Sequence, residues 1–125
     1  MIVGTGIDIT EVSRVRQLME RYGSRFLQRV FTESEIKYCS AKRNDAERFA
    51  ARFAAKEAAS KALGTGMRQG VSWKQIEVAH LPGGRPTLLF NGAAAATFAR
   101  LGARQVALSL SHTAEHAIAQ VVLED

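Results

Sequence analysis

The stretch from Ala46 to Leu63 reads AERFAARFAAKEAASKAL and predicts the longest helix of the chain. Eight of these residues are alanine, the strongest helix former, so the segment has a high intrinsic helix propensity. The small alanine side chains also leave a thin surface that other elements can approach closely. Asn44 is placed to cap the start of this helix, and Gly64 is expected to end it.

One face of this helix carries chemical groups. Phe49, Phe53, Glu57 and Lys61 follow at four-residue spacing and therefore share a side. Taken alone, Glu57 and Lys61 indicate an exposed ion pair worth a few tenths of a kcal/mol. Asp8 changes this interpretation, because a carboxylate in an apolar strand is costly to bury unless a cation or hydrogen bonds satisfy it. Separated carboxylates near basic groups suit Mg²⁺ with substrate phosphates, so the pair predicts a phosphate-handling metal site.

The other elements are expected to surround this helix. Ile2 to Ile9 reads as a strand in which Gly4 and Gly6 allow another backbone to come close. Thr10 is the expected N-cap of the next helix. Further helices are predicted over 11–22, 26–30, 32–42 and about 91–101, and strands over 73–79, 87–90, 105–111 and 116–123. With no internal repeat and no linker, residues 1–125 are expected to form one domain.

Composition excludes several classes of protein. A hydrophobic content of 46% with 23% charged residues is ordinary for a folded domain and argues against disorder. No apolar run approaches the roughly 20 residues of a membrane span, and the opening five residues lack the basic segment of a signal peptide. The single cysteine, Cys39, cannot form an internal disulfide and is expected to pack on a helix. These features predict a cytoplasmic protein without a membrane partner.

Positive charge is concentrated near the start of the chain. The net charge is +5, and residues 14–29 contain five arginines against one glutamate. Such a patch attracts an acidic partner, which can be nucleic acid, a membrane surface or an acidic protein. Composition alone does not choose among them, and the patch is equally read as a solvated helix face. The absence of RNP, KH or zinc-finger signatures weakens an RNA-binding interpretation.

Four segments in this order resemble one family: GIDI at 6–9, RFAAKEA at 52–58, GRP at 84–86 and SLSHT at 109–113. They are similar to the holo-acyl-carrier-protein synthases, the small 4′-phosphopantetheinyl transferases. The resemblance implies an α+β fold in which a long central helix packs on a sheet rich in antiparallel strands. It also implies an enzyme of fatty acid biosynthesis that moves 4′-phosphopantetheine from coenzyme A to a serine of apo-acyl carrier protein and releases adenosine 3′,5′-bisphosphate.

The resemblance assigns roles at the reacting centre to three residues. Asp8 and Glu57 would hold Mg²⁺ against the pyrophosphate of coenzyme A, and Lys61 would stabilise charge as the bond to the leaving group breaks. The base that takes the serine proton stays open between Glu57 and a water on the metal.

The remaining assignments concern coenzyme A, the carrier and the assembly. The residues that would contact coenzyme A, besides Lys61, are Ser111, His112, Thr113, Arg85 and Pro86. Those that would meet the acidic carrier are Arg14, Met19, Arg21, Arg25 and Phe26. Short members of the family form trimers, so a homotrimer with sites between subunits is expected.

One alternative from another class is a non-enzymatic RNA- or phosphate-binding module. It would use the same basic surface between residues 14 and 29. It gives no reason for pairing Asp8 with Glu57, which favours the enzyme.

Overall fold

The computed structural model describes all residues from 1 to 125. A short 3-10 turn spans Trp73–Gln75. The strands are β1 (Ile2–Glu11), β2 (Ile76–His80), β3 (Pro86–Phe90), β4 (Gln105–His112) and β5 (His116–Glu124). The helices are α1 (Val12–Tyr22), α2 (Ser24–Val30), α3 (Glu33–Ser40), α4 (Asp45–Leu63) and α5 (Gly92–Arg100). None of these helices is long and apolar enough to cross a membrane.

All strand pairs are antiparallel, and they form two separate sheets. β5 lies between β1 and β4 in a three-stranded sheet, while β2 and β3 form a hairpin. The long helix α4 packs against one face of the larger sheet, and most of its residues are buried. The expectation of an α+β fold with a central helix on an antiparallel sheet is therefore confirmed.

Two glycines in β1 allow α4 to approach the sheet closely. A Cβ atom added to Gly6 would overlap the backbone carbonyl of Ala58, and one added to Gly4 would overlap that of Ala62. The helix surface at these positions is alanine, so backbone packs almost directly on backbone. This contact sets the relative position of the Asp8 and Glu57 backbones, because both residues lie next to it in sequence.

A buried ion pair ties α4 to α3 and to the hairpin. Lys56 Nζ lies 2.8 Å from Glu35 Oε1, and neither side chain is exposed. The same ammonium donates to the carbonyl oxygens of Trp73 and Ile76, at 3.0 and 2.6 Å. Glu35 also accepts from the backbone N–H of Val78 at 2.8 Å. Every polar atom of the pair is thus matched, which is the condition for tolerating buried charge.

The face of the larger sheet that points away from α4 is uncovered in the single chain. Ile7, Ile9 and Ile118 are 55%, 65% and 36% exposed on this face. Ile9 lies opposite Ile118 in the register, so the side chains form a continuous apolar stripe.

The structure corrects three local predictions. Thr10 is not the N-cap of α1, because β1 continues to Glu11, and Thr10 is buried in the sheet. Trp73 to Gln75 forms a 3-10 turn rather than the start of a strand. Asn44 does precede α4, but its side chain makes no capping bond; its Oδ1 accepts from Arg48 Nε at 3.3 Å. For Thr10, strand pairing with β5 overrides the local preference, whereas Asn44 bonds a side chain one turn along its own helix.

Candidate active site

A hollow of about 390 Å³ lies where β1 meets α1 and α4. Asp8 reaches it from β1, Glu57 and Lys61 from successive turns of α4, and Arg14 from the first turns of α1. Phe53 contributes an apolar wall from the same face of α4. Residues almost fifty positions apart in sequence thus surround one space with two cations and three carboxylates, of which Glu11 is exposed at the rim.

Hydrogen bonds fix Asp8 in place. Its Oδ1 lies 3.1 Å from Lys61 Nζ, and its Oδ2 accepts from the Thr10 hydroxyl at 2.9 Å. The ammonium of Lys61 also donates to the carbonyl oxygen of Ile7 at 3.0 Å. Sequence reasoning missed this role of Thr10, although the strand period of two could have placed residues 8 and 10 on one face.

Glu57 is a half-buried carboxylate of this hollow that no protein donor reaches. The hydroxyl of Ser60 bonds the backbone carbonyl of Glu57, and no hydrogen bond or ion pair reaches its carboxylate. Burial raises the pKa of the Glu57 carboxyl, the Asp8 carboxylate raises it further, and Lys61 and Arg14 oppose the shift. A cation between the Glu57 and Asp8 carboxylates would stabilise the ionised form of both.

The donor set fits a hard divalent cation with few protein ligands. No group of three or more histidine, cysteine, aspartate or glutamate side chains is arranged to hold a metal, which excludes a closed structural zinc site. Two carboxylates with room for water and phosphate oxygens are the arrangement that Mg²⁺ accepts. Asp8 and Glu57 would supply those two ligands.

A second hollow of about 370 Å³ lies beside the first on the basic surface of α1 and α2. Leu18 lines both hollows, and the second also contains Tyr22, Arg25, Phe26 and Arg29. The arginines predicted on the outer side of this region are exposed.

Three of the residues predicted to meet a partner lie outside that second hollow, and one of them, Arg14, lines the first. Arg21 is exposed and lies over the ring of Tyr22 at 5.5 Å. Met19 is half-buried and packs against the core formed by Val12, Val15 and Phe31. Leu18 and Tyr22, which the sequence did not single out, are the apolar and aromatic groups that face the groove.

Ser111, His112 and Thr113 are not brought to the first hollow within one chain. They border a separate space of about 360 Å³ with Ile9 and Ile118, and the His112 ring turns from its edge towards Glu47 on α4. His112 lies two strands away from Thr10 in the register, which is about 10 Å across the sheet. Ile9 lines both spaces, so they are neighbours without being continuous.

Arg85 and Pro86 lie at the tip and base of the β2–β3 hairpin. Arg85 is exposed, and its carbonyl oxygen accepts from Leu81 N–H at 2.8 Å. Pro86 pairs with His80 across the hairpin. Neither residue lines one of the hollows described above.

Sequence reasoning also missed Arg52, a buried guanidinium on α4. Its side chain lies over the ring of Tyr38 at 4.7 Å and 3.4 Å from His80 Nε2. No carboxylate lies within ion-pair distance, although the residue is only 4% exposed. The signal was present as an arginine in a run of buried alanines, a position that polar residues rarely occupy without a partner.

Comparisons with known proteins identify the family of the chain. Residues 4–121 match the family model of the 4′-phosphopantetheinyl transferase superfamily. The chain is 59% identical to the holo-[acyl-carrier-protein] synthase of Koribacter versatilis, over the full length of both. It superposes on the holo-[acyl-carrier-protein] synthase of Neisseria meningitidis with a TM-score of 0.90 at 34% identity, covering all of both chains.

A holo-(acyl-carrier-protein) synthase of Bacillus anthracis, solved in complex with CoA (3′,5′-ADP), is 40% identical with a TM-score of 0.81 and covers 98% of this chain and 96% of its own. Family model, sequence relatives and fold thus point to one assignment. The chain belongs to the 4′-phosphopantetheinyl transferase superfamily.

Proposed function

We propose that this protein is a holo-acyl-carrier-protein synthase that uses coenzyme A and Mg²⁺ to modify apo-acyl carrier protein. It transfers 4′-phosphopantetheine to a serine hydroxyl of the carrier and releases adenosine 3′,5′-bisphosphate. The observation that carries this proposal is the hollow that joins Asp8, Glu57 and Lys61 and opens beside a basic groove. We also propose that the protein is cytoplasmic, and its free, buried Cys39 is consistent with that location.

The residues of the hollow suit attack on a pyrophosphate. Mg²⁺ held by Asp8 and Glu57 would neutralise and orient the pyrophosphate oxygens. Lys61 keeps its ammonium beside Asp8, at the edge of the space that the pyrophosphate would occupy. Its charge stabilises the negative charge that develops on the leaving group. Arg14 adds a second cation at the side where the carrier would approach.

The serine hydroxyl must lose a proton during transfer. Glu57 is one candidate for this base: burial and Asp8 raise its pKa, and a bound Mg²⁺ would oppose that shift. Water in the hollow is the other candidate. The assignment stays open between the two, since both can reach the open side of the site.

The carrier docks, in this proposal, on the groove formed by Leu18, Tyr22, Arg25, Phe26 and Arg29. Its cationic rim attracts an acidic protein and orients it, while the aromatic floor offers a small area for apolar burial. Arg14 lies between this groove and the carboxylates, so it would contact the carrier near the reacting serine.

We also propose a homotrimer with active sites between subunits. The apolar stripe of Ile7, Ile9 and Ile118 is uncovered in one chain, and exposed apolar faces of this kind mark interfaces. Ser111, His112 and Thr113 border the same face but lie away from Asp8 and Glu57. A second copy packed on this face would bring its His112 segment towards the first copy's hollow, which completes the coenzyme A site.

The test is direct transfer measured by the mass of the carrier. Wild-type protein, coenzyme A, Mg²⁺ and apo-carrier should give a mass gain of one phosphopantetheine. Asp8→Ala and Glu57→Ala should each abolish the gain while remaining folded, because each would remove one of two metal-binding carboxylates. Glu33→Ala, which removes an exposed carboxylate elsewhere, is the matched control and should retain activity.

The outcome also discriminates against the RNA- or phosphate-binding alternative. No mass gain with wild-type protein, together with tight RNA binding, would support that alternative. Near-normal transfer by a folded Asp8→Ala or Glu57→Ala protein at low Mg²⁺ would remove that residue from the metal site.

A further inference from the structure

His112 contacts one charged side chain, and that side chain has no role in the site described so far. Its Nδ1 lies 3.0 Å from Oε1 of Glu47, which is in the first turn of α4. Both side chains are 23% exposed, so water screens the contact only in part. Glu47 precedes Glu57 by ten residues, or about 15 Å along the helix, and is therefore independent of the carboxylate pair.

The chemistry of this contact limits what the imidazole can do. An ionised carboxylate only accepts hydrogen bonds, so Nδ1 must carry the proton in the contact. Nε2 is then the remaining ring nitrogen for any ligand. A phosphate oxygen also only accepts, which means that His112 can bridge Glu47 and a phosphate only when both ring nitrogens are protonated.

The surroundings leave Glu47 as the one acid in contact with this ring. The space beside His112 is lined by Ile9, Ser111, Thr113, His116 and Ile118, with no lysine, arginine or carboxylate among them. His116 on β5 is the other titratable group at this space.

Among the polar residues beside His112, Thr113 is already engaged. The Thr113 hydroxyl accepts from the backbone N–H groups of Glu115 and His116, at 3.2 and 3.1 Å. Glu47 is therefore the charged group that holds the His112 ring, and the turn beside it offers no competing charge.

We propose that Glu47 is a positioning residue that presents the Nε2–H of His112 to a phosphate oxygen of coenzyme A. The carboxylate fixes the ring orientation and balances the imidazolium charge. Glu47 itself does not touch the substrate. This inference rests on the proposed function, because it needs coenzyme A as the ligand of the His112 segment.

A double-mutant cycle tests whether Glu47 acts through His112. Glu47→Gln should raise the KM for coenzyme A about fivefold with kcat little changed, the loss expected for weakening one hydrogen bond. In a His112→Ala background the same substitution should have no further effect. Asp45→Asn is the matched control: it removes a neighbouring acid of the same helical turn that bonds Ala46 N–H, and it should leave the KM unchanged.

A spectroscopic readout separates positioning from a general structural role. With adenosine 3′,5′-bisphosphate bound, ¹⁵N NMR should show both nitrogens of His112 protonated in the wild type and a neutral ring in Glu47→Gln. His116, which lies opposite Glu11 in the register but forms no ion pair, is the internal reference.

The possible failures are distinguishable. A wild-type protein that transfers no phosphopantetheine refutes the proposed function itself. An active wild type in which Glu47→Gln leaves the KM unchanged, or raises it equally with and without His112, overturns the positioning role alone. A neutral His112 ring in the wild-type complex with adenosine 3′,5′-bisphosphate would also overturn the positioning role of Glu47.

Discussion

Replacing Lys56 with methionine should destabilise the protein more than any surface substitution. The ammonium bonds Glu35 Oε1 at 2.8 Å and the carbonyls of Trp73 and Ile76 at 3.0 and 2.6 Å, and it is fully buried. Burial lowers the pKa of Lys56, whereas Glu35 opposes that shift, as expected for a charge held by one acid inside the core. Methionine keeps most of the side-chain volume and removes the charge.

The size of the stability loss depends on the polar groups that Lys56→Met leaves without a partner. Without Lys56, Glu35 remains as a buried carboxylate, and the carbonyls of Trp73 and Ile76 each lose the ammonium donor, although that of Trp73 keeps the Ile76 N–H. Removing one partner of a buried ion pair costs about 3–5 kcal/mol. Lys56→Met combined with Glu35→Gln should lose less than Lys56→Met alone, because no uncompensated charge remains. The glutamine introduced by Glu35→Gln can still accept from one of the backbone N–H groups that Glu35 now serves.

Urea unfolding followed by far-ultraviolet circular dichroism measures these differences, at one fixed protein concentration because subunit association would contribute to stability. Lys37→Met, which removes an exposed lysine of α3, is the control and should change stability by less than about 0.5 kcal/mol. A Lys56→Met protein within about 1 kcal/mol of the wild type would refute the reasoning. So would a double variant less stable than the single one.

Three further predictions concern the partner, the assembly and pH. Arg14→Glu should raise the KM for the carrier roughly tenfold while changing the KM for coenzyme A little, and added salt should weaken carrier binding by the wild type. Equal effects on both substrates would contradict a carrier contact at Arg14. Light scattering with an activity assay across a dilution series should show activity falling as a trimer dissociates, and a fully active monomer would refute the shared site. Burial and the nearby Arg52 and Lys42 lower the pKa of His80, so the unfolded chain binds more protons there and stability should fall as the pH drops below 6.5. His80→Gln should reduce that loss in urea midpoints compared between pH 7 and 5, and an unchanged loss would exclude His80 as its source.

Much of the fold was predictable because it depends on local periodicity. The alanine-rich segment 46–63, bounded by Asn44 and Gly64, specifies α4 almost to its ends. Alternating apolar residues specify the strands, and the glycines of β1 correctly indicated a close backbone contact. A carboxylate in an apolar strand requires a partner, which is why Asp8 could be matched with Glu57 through a shared metal, whereas the direct contact of Asp8 with Lys61 was not predicted.

Tertiary structure alone decided which distant groups meet. Periodicity assigns a residue to a face of its own element but does not identify the residue opposite, so nothing local linked Glu47 to His112, 65 positions later. The same holds for Lys56 and Glu35, and for Arg52, whose burial without an acid depends on how the hairpin covers α4. Thr10 shows the limit most clearly. Its side chain suits a helix cap equally well by local chemistry, and only the pairing of β1 with β5 through Glu11 makes it a strand residue that bonds Asp8.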